Sequence, residues 1–260
     1  MFSRSVSDVL DEKHLEVFMQ AVSNILATEV AKFTYAQIVD GLPTVDTWTK
    51  YQVRMETHPV FQLNHVHLCA GALEKTRNLM SHFDLEKLHF EEHLLRAFQN
   101  ASLGSSQFNL RLIEITAVAC HEIAAHLFQS GDSFHKRNLH ENWLAKESLG
   151  DGQKRFGSAL PLVAFQHRSY RFPEQYPNGV SDMVGYWAES NIFGGVVLFD
   201  RGESELEAVA PALDAHVERC LVCDDRTVVS VREIETIPSY GLKSLDAYGD
   251  TYEAILHGMA

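Results

Sequence analysis

A chain of 260 residues with 45% hydrophobic and 10% aromatic content can build a sizeable core, which excludes a disordered, collagenous or coiled-coil protein. Its net charge of −13, acidic in both halves, offers no basic surface to neutralise a phosphate backbone, so no nucleic-acid partner is expected. No run approaches the roughly 18 apolar residues of a spanning helix, and MFSRSVSDVLDEKHLE sets charges where a signal peptide needs its apolar stretch, so a soluble, cytoplasmic protein without a membrane span is expected.

In chain order, residues 12–40 carry apolar side chains at helical spacing, among them Leu15, Phe18, Val22, Ile25 and Phe33, until Gly41-Leu42-Pro43 stops the helix. A second helix is expected from after His58-Pro59 to about Met80. A third is expected from Asp84, as N-cap, to Phe98, and a fourth from Ser106 to Gln129, ending in Ser130-Gly131-Asp132. Past residue 131, Gly, Pro and Asn become frequent and apolar runs shorten, with residues 194–199 and 227–231 the best strand candidates by β-branched content. The expected fold is mainly α. A helical bundle or array fills residues 1–130, with a smaller irregular or β element toward the C-terminus (α+β), in a single domain of a helical portion, 12–130, and a mixed portion, 131–260.

Four cysteines make no disulfide framework in a chain of this length, and Cys220/Cys223 alone fall at CxxC spacing. Cys69 and Cys120 sit singly in apolar runs, where a buried thiol acts as a small hydrophobe. Histidine stands out: ten of the fourteen lie between His58 and His140. His65 and His67, two apart, cannot share a helix face and read as core or partly exposed residues. His89 and His93, four apart among Glu86, Glu91 and Glu92, read as a solvated face, although (i, i+4) spacing can hold a metal.

The run from Leu110 to Phe128 differs, being almost wholly apolar except for Glu114, His121, Glu122 and His126. At about 100° per residue Glu114 and His121 nearly eclipse, and Glu122 and His126 form an adjoining stripe beside small residues. Buried carboxylates and imidazoles require partners, so the set reads either as a structural polar network or as a site. As a site, Glu122, His121 and Glu114 are the catalytic candidates, with Glu122 and His126 as metal ligands converging on one cavity. The zinc-protease pattern His-Glu-x-x-His is missed by one residue, and the ferritin-like Glu-x-x-His pattern is absent.

Asp182, Gly185 and Glu189 fall at 0, +3 and +7, one face of a two-turn helix. This resembles the second metal-binding motif of ionisation-dependent terpene cyclases, with Ser181 departing at its first position. Their aspartate-rich motif is missing, Asp224-Asp225 being the chain's one Asp-Asp. The wider run Tyr176-Pro177-Asn178-Gly179-Val180-Ser181-Asp182-Met183-Val184-Gly185-Tyr186-Trp187-Ala188-Glu189, continuing to Gly202, resembles a segment of the fungal α-ionylideneethane synthase family, sesquiterpene cyclases that also lack the aspartate-rich motif. The resemblance implies farnesyl diphosphate as substrate, Mg²⁺ as cofactor and a lyase in fungal secondary metabolism. On the motif's own chemistry Asp182 and Glu189 are the metal-ligand candidates, and they are expected to face the same cavity as the His/Glu helix. Tyr186 and Trp187 are the substrate-binding aromatics and Arg201 a diphosphate-binding candidate, beside Arg155, Arg168 and Arg171. Two other readings stand. One is a non-haem iron or di-metal oxygenase holding Fe²⁺ on His121, Glu122 and His126, with His89 and His93; the other is a non-catalytic helical interaction protein.

Overall fold

Helix α1 (Glu12–Ala27) starts at Asp11, whose Oδ1 accepts from the His14 backbone N–H at 2.9 Å and lies 2.9 Å from His14 Nδ1. These bonds and one from Gln99 hold the Asp11 carboxyl below the ordinary carboxylate range. The computed structural model describes residues 3–149, 160–199, 220–223 and 228–230, and the fold is mainly α with a minor β element. The described residues fall into two compact units: one drawn from 1–28, 84–120 and 189 onward, the other from 29–83 and 121–188. Both are assembled from separate stretches, which is why no linker is legible in the sequence.

In the first unit, Phe18, Val22 and Ile25 of α1 are fully buried, and Phe18 meets Phe90 edge-on at 5.8 Å. Phe90 is the inward residue of strand β2 (His89–Glu91), which pairs antiparallel with β1 (Ser3–Ser5), Arg4 standing opposite Phe90. Two further helices belong here, α6 (Glu92–Gln99) and the first part of α7 (Ser106–Ser130), the latter capped by Ser105 Oγ accepting from the Phe108 N–H at 3.0 Å. Phe98 and Phe108 pack at 5.0 Å, and His14 Nε2 reaches the Ala101 carbonyl at 3.1 Å. A second sheet has the order β3 (Val196–Phe199), β4 (Cys220–Cys223), β5 (Val228–Ser230), antiparallel throughout.

The second unit holds α2 (Glu29–Asp40), α3 (Val45–Tyr51), α4 (Pro59–Gln62), α5 (Ala72–Ser81), the end of α7, α8 (Asn138–Leu149) and most of α9 (Val180–Phe193). Helix α2 is buried along most of its length and packs on α5. His58 caps α4: its Nδ1 accepts from the Val60 N–H at 3.2 Å, with Pro59 at the first helical position. Its Nε2–H therefore donates to His140 Nδ1 at 3.0 Å, and His140 Nε2–H donates to the Pro161 carbonyl at 3.1 Å, a relay of two neutral imidazoles. Trp48 stacks on His58 at 3.7 Å and Trp143 stands edge-on to it at 4.6 Å. Burial pushes both imidazoles down, His140 to about 4.

Several expected boundaries are corrected. The 12–40 helix is broken at Thr28, whose Oγ1 and N–H both donate to the Ile25 carbonyl while its backbone turns extended. The helix expected from His58 to Met80 is interrupted by a loop over 63–71. Asn64 is left-handed there (φ 47°), and the His65 N–H and carbonyl bond Val60 and Val45 rather than a helical ladder. Asp84 does cap, accepting from the Glu86 N–H at 3.1 Å, but only a short 3₁₀ turn follows, and pairing with β1 draws 89–91 into a strand. Residues 180–190 are helical.

Candidate functional site

The second half of α7 and the first half of α9 bring His121, Glu122 and Asp182 together, one ligand atom from each lying within 4.8 Å of the others. His121 Nε2 donates to Asp182 Oδ1 at 3.3 Å. Asp182 stands in the first turn of α9 and reaches back to Asn178, accepting from its N–H at 2.8 Å and its Nδ2 at 3.0 Å. The carboxylate thus both starts the helix and faces the imidazole, where the helix dipole favours negative charge. Burial would raise its pKa, but the bonds from His121 and Asn178 outweigh that and hold it below the usual range.

Gly185 decides where His121 sits. A Cβ there would fall 2.4 Å from the imidazole Cδ2 and Nε2, so the missing side chain of α9 is the space the ring occupies. Tyr186 meets the ring edge-on at 4.6 Å, Tyr170 stacks on Tyr186 at 4.1 Å, and Tyr176 lies 5.2 Å from it. Three half-buried phenol rings therefore wall one side of the cluster. The Tyr176 hydroxyl is raised by burial and by the nearby Asp182 and Glu174.

The other expected site residues have surroundings of their own. Glu114, in the first unit, accepts from Arg111 Nη1 at 2.6 Å in a largely buried ion pair. His126 is exposed, edge-on to Phe83 at 5.5 Å. Glu189, buried in the first unit, accepts from the Val197 N–H at 3.3 Å. Trp187 points into the core, packed on Phe165 at 4.8 Å. His89 is in a strand and His93 pairs with Glu91 at 3.4 Å, so they share no helix face. Arg168 Nη2 donates to the Lys50 carbonyl at 3.1 Å. Arg155, Arg201 and Asp224-Asp225 lie outside the described residues.

A cleft of about 540 Å³, counted out to open solvent, is lined by Ile38, Leu127, Phe128, Arg137, Leu162 and Phe165 among others, but by none of the three cluster residues. Among the described residues, neither group of metal-ligating side chains that the fold brings together belongs to its walls.

A second group of ligand side chains escaped the sequence. Asp40, His65, Cys69 and His135 also bring one ligand atom each within 4.8 Å of the others. Their spacings of 25, 4 and 66 residues match no motif, and only the folded loops join them.

No family model, curated protein or solved structure matches the chain.

Proposed function

We propose that the chain is a metal-dependent cyclase of an isoprenoid diphosphate, with farnesyl diphosphate as the first substrate to test, working at His121, Glu122 and Asp182. The observation supporting this reading is the meeting of two carboxylates and an imidazole with a wall of three tyrosines. The residues fit a divalent cation: Glu122 and Asp182 offer the hard oxygen donors that Mg²⁺ prefers, and His121 orients Asp182 by its hydrogen bond. When bound, the ion supplies counter-charge to the departing diphosphate. The cleaved C–O bond gives its electron pair to the diphosphate and leaves an allylic cation, which closes on an internal double bond and then loses a proton to the released diphosphate. Tyr170, Tyr176 and Tyr186 supply ring faces to that cation, each worth about 0.5–2 kcal/mol. Glu114 and Glu189 belong to the first unit and His126 is exposed, so this reading does not call on them.

The imidazole among the donors favours a second reading, a non-haem iron or di-metal oxygenase on the same residues, since imidazole nitrogen suits Fe²⁺ better than Mg²⁺. One experiment separates the two. Purified protein is incubated with farnesyl, geranyl or geranylgeranyl diphosphate and Mg²⁺, and hydrocarbon and free diphosphate are measured while bound metal is assayed. Hydrocarbon with stoichiometric diphosphate release supports the cyclase. No product from any of the three, with tightly held iron, replaces it by the oxygenase.

A further inference from the structure

We infer that Asp40, His65, Cys69 and His135 form a closed, four-ligand zinc site that fastens the end of α2 to two irregular segments of the second unit. The four donors come from the C-terminus of α2, the 63–71 loop and the link between α7 and α8. A tetrahedral zinc with bonds of about 2.0–2.3 Å separates its ligand atoms by roughly 3.3–3.8 Å. The protein holds His65 Nε2 3.1 Å from Asp40 Oδ2, Cys69 Sγ 3.2 Å from His135 Nε2, and His135 Nε2 3.8 Å from Asp40 Oδ1. The first two fall just short of that range and the third lies at its upper end, with Asp40 turning one oxygen to each histidine, so shifts of a few tenths of an ångström would open the group around an ion.

A simple ion pair accounts for only part of this. His65 with Asp40, aided by the Cys69 N–H donating to Asp40 Oδ2 at 2.9 Å, would make a satisfied buried pair. It gives no reason for a thiol and a second imidazole to turn toward the same carboxylate. Asp40 is fully buried, and its Oδ1 accepts no hydrogen bond while it faces His135 Nε2. A fully desolvated carboxylate oxygen without a donor is costly unless a cation takes its place.

The outer shell is that of a ligating histidine. His65 Nδ1 lies 2.9 Å from the Pro43 carbonyl, which fixes its proton there and leaves Nε2 for a metal. His135 is placed by backbone: its N–H donates to the Asp40 carbonyl at 2.6 Å, and its own carbonyl lies 2.1 Å from where a Gly41 Cβ would be. Gly41, at φ 94°, has the conformation and the absent side chain that let the two segments touch. Cys69 and His135 are half-buried, so an ion can enter from that side. Thiolate, imidazoles and carboxylate together suit Zn²⁺ rather than Mg²⁺ or Ca²⁺, and with all four positions filled by protein the site is structural.

The test uses the full chain expressed with zinc and then exchanged into Co²⁺. About one zinc per chain is expected after dialysis, and the cobalt form should show the intense visible bands of four-coordination with a thiolate-to-metal charge-transfer band. Cys69→Ser should abolish the charge-transfer band, whereas Cys120→Ser should keep it, which also separates this site from the cysteine-free His121 cluster. If Cys69→Ser does not fold, the wild type decides: zinc should slow alkylation of Cys69, read by peptide mass, by about tenfold or more relative to chelated protein. A charge-transfer band that survives in folded Cys69→Ser, a folded wild type that retains no zinc and shows no such band with cobalt, or an alkylation rate indifferent to zinc would overturn the site.

Discussion

The imidazole of His121 occupies the volume that a side chain at Gly185 would fill, 2.4 Å from the position of its Cβ. Asp182, three residues before Gly185 on α9, receives the hydrogen bond from that same ring at 3.3 Å. One helix therefore provides both the space and the acceptor. Gly185→Ala sets two effects in opposition: alanine in a helix interior gains about 1 kcal/mol over glycine, but the ring must swing away, losing its bond to Asp182. Overpacking of this kind costs about 1–3 kcal/mol. The expected result is a folded protein, destabilised by about 1 kcal/mol or more in urea, with the His121 imidazole signals shifted in NMR. A variant more stable than wild type with unchanged His121 signals would count against this packing.

Gly41→Ala should be the harsher of the two. The obstacle there is not a movable ring but the His135 carbonyl, 2.1 Å from the added Cβ, and the φ of 94° disfavours alanine in its own right. Backbone strain of about 1–3 kcal/mol adds to overpacking of similar size, so the loss should exceed that of Gly185→Ala. Urea unfolding of both variants checks the ranking, and equal stability would contradict it.

The relay of His58 and His140 predicts acid sensitivity. Both folded-state values lie below the unfolded histidine value, His140 at about 4, because burial disfavours the charged ring. Between pH 6.5 and 4 the unfolded chain takes up protons that the folded chain refuses. Their contribution is therefore complete above about pH 6.5 and declines on acidification, by up to about 1.4 kcal/mol per pH unit for each histidine. Unfolding free energies from pH 7.5 to 4.5 should show the decline, and nitrogen NMR should find both rings neutral with the proton on Nε2 at pH 5.5. Doubly protonated rings at that pH would overturn the relay.

What the sequence made legible was what local periodicity encodes. Helix α7 was expected over 106–129 and runs Ser106–Ser130, because its apolar stripe, its serine start and Gly131 (φ 67°) all agree. The candidate strands at 194–199 and 227–231 contain β3 and β5. Where tertiary bonds overrule local preference, the reading failed. Residues 89–91 have helical neighbours but pair with β1, and His65 leaves the helical ladder to bond Val60 and Val45. The sequence singles out the His/Glu helix; Arg111, three residues before Glu114, is a partner the wheel could have shown, whereas the outward direction of His126 depends on how the helix packs. Cys69 read as an ordinary small hydrophobe because its partners Asp40 and His135 are 29 and 66 residues away. Tyr170 likewise carries no signal until the chain folds it onto Tyr186.

The last prediction is that activity depends on the two carboxylates in separable ways. Glu122→Gln preserves shape at a half-buried position while removing one negative charge, so folding should persist and turnover should fall by about 10²–10³-fold, as when a preorganised stabiliser of developing charge is lost. Asp182→Asn removes the same charge but also weakens the acceptor of the Asn178 and His121 bonds, so it should lower both turnover and thermal stability. His121→Asn, which keeps a side-chain donor, should retain more stability than His121→Ala and show how far the ring acts by orienting Asp182. Diphosphate release from farnesyl diphosphate, measured against Mg²⁺ concentration for each variant beside its melting curve, separates charge loss from unfolding. If Glu122→Gln and Asp182→Asn are both folded and both turn over at the wild-type rate, the carboxylates of α7 and α9 are a structural pair and the chemistry lies elsewhere in the chain.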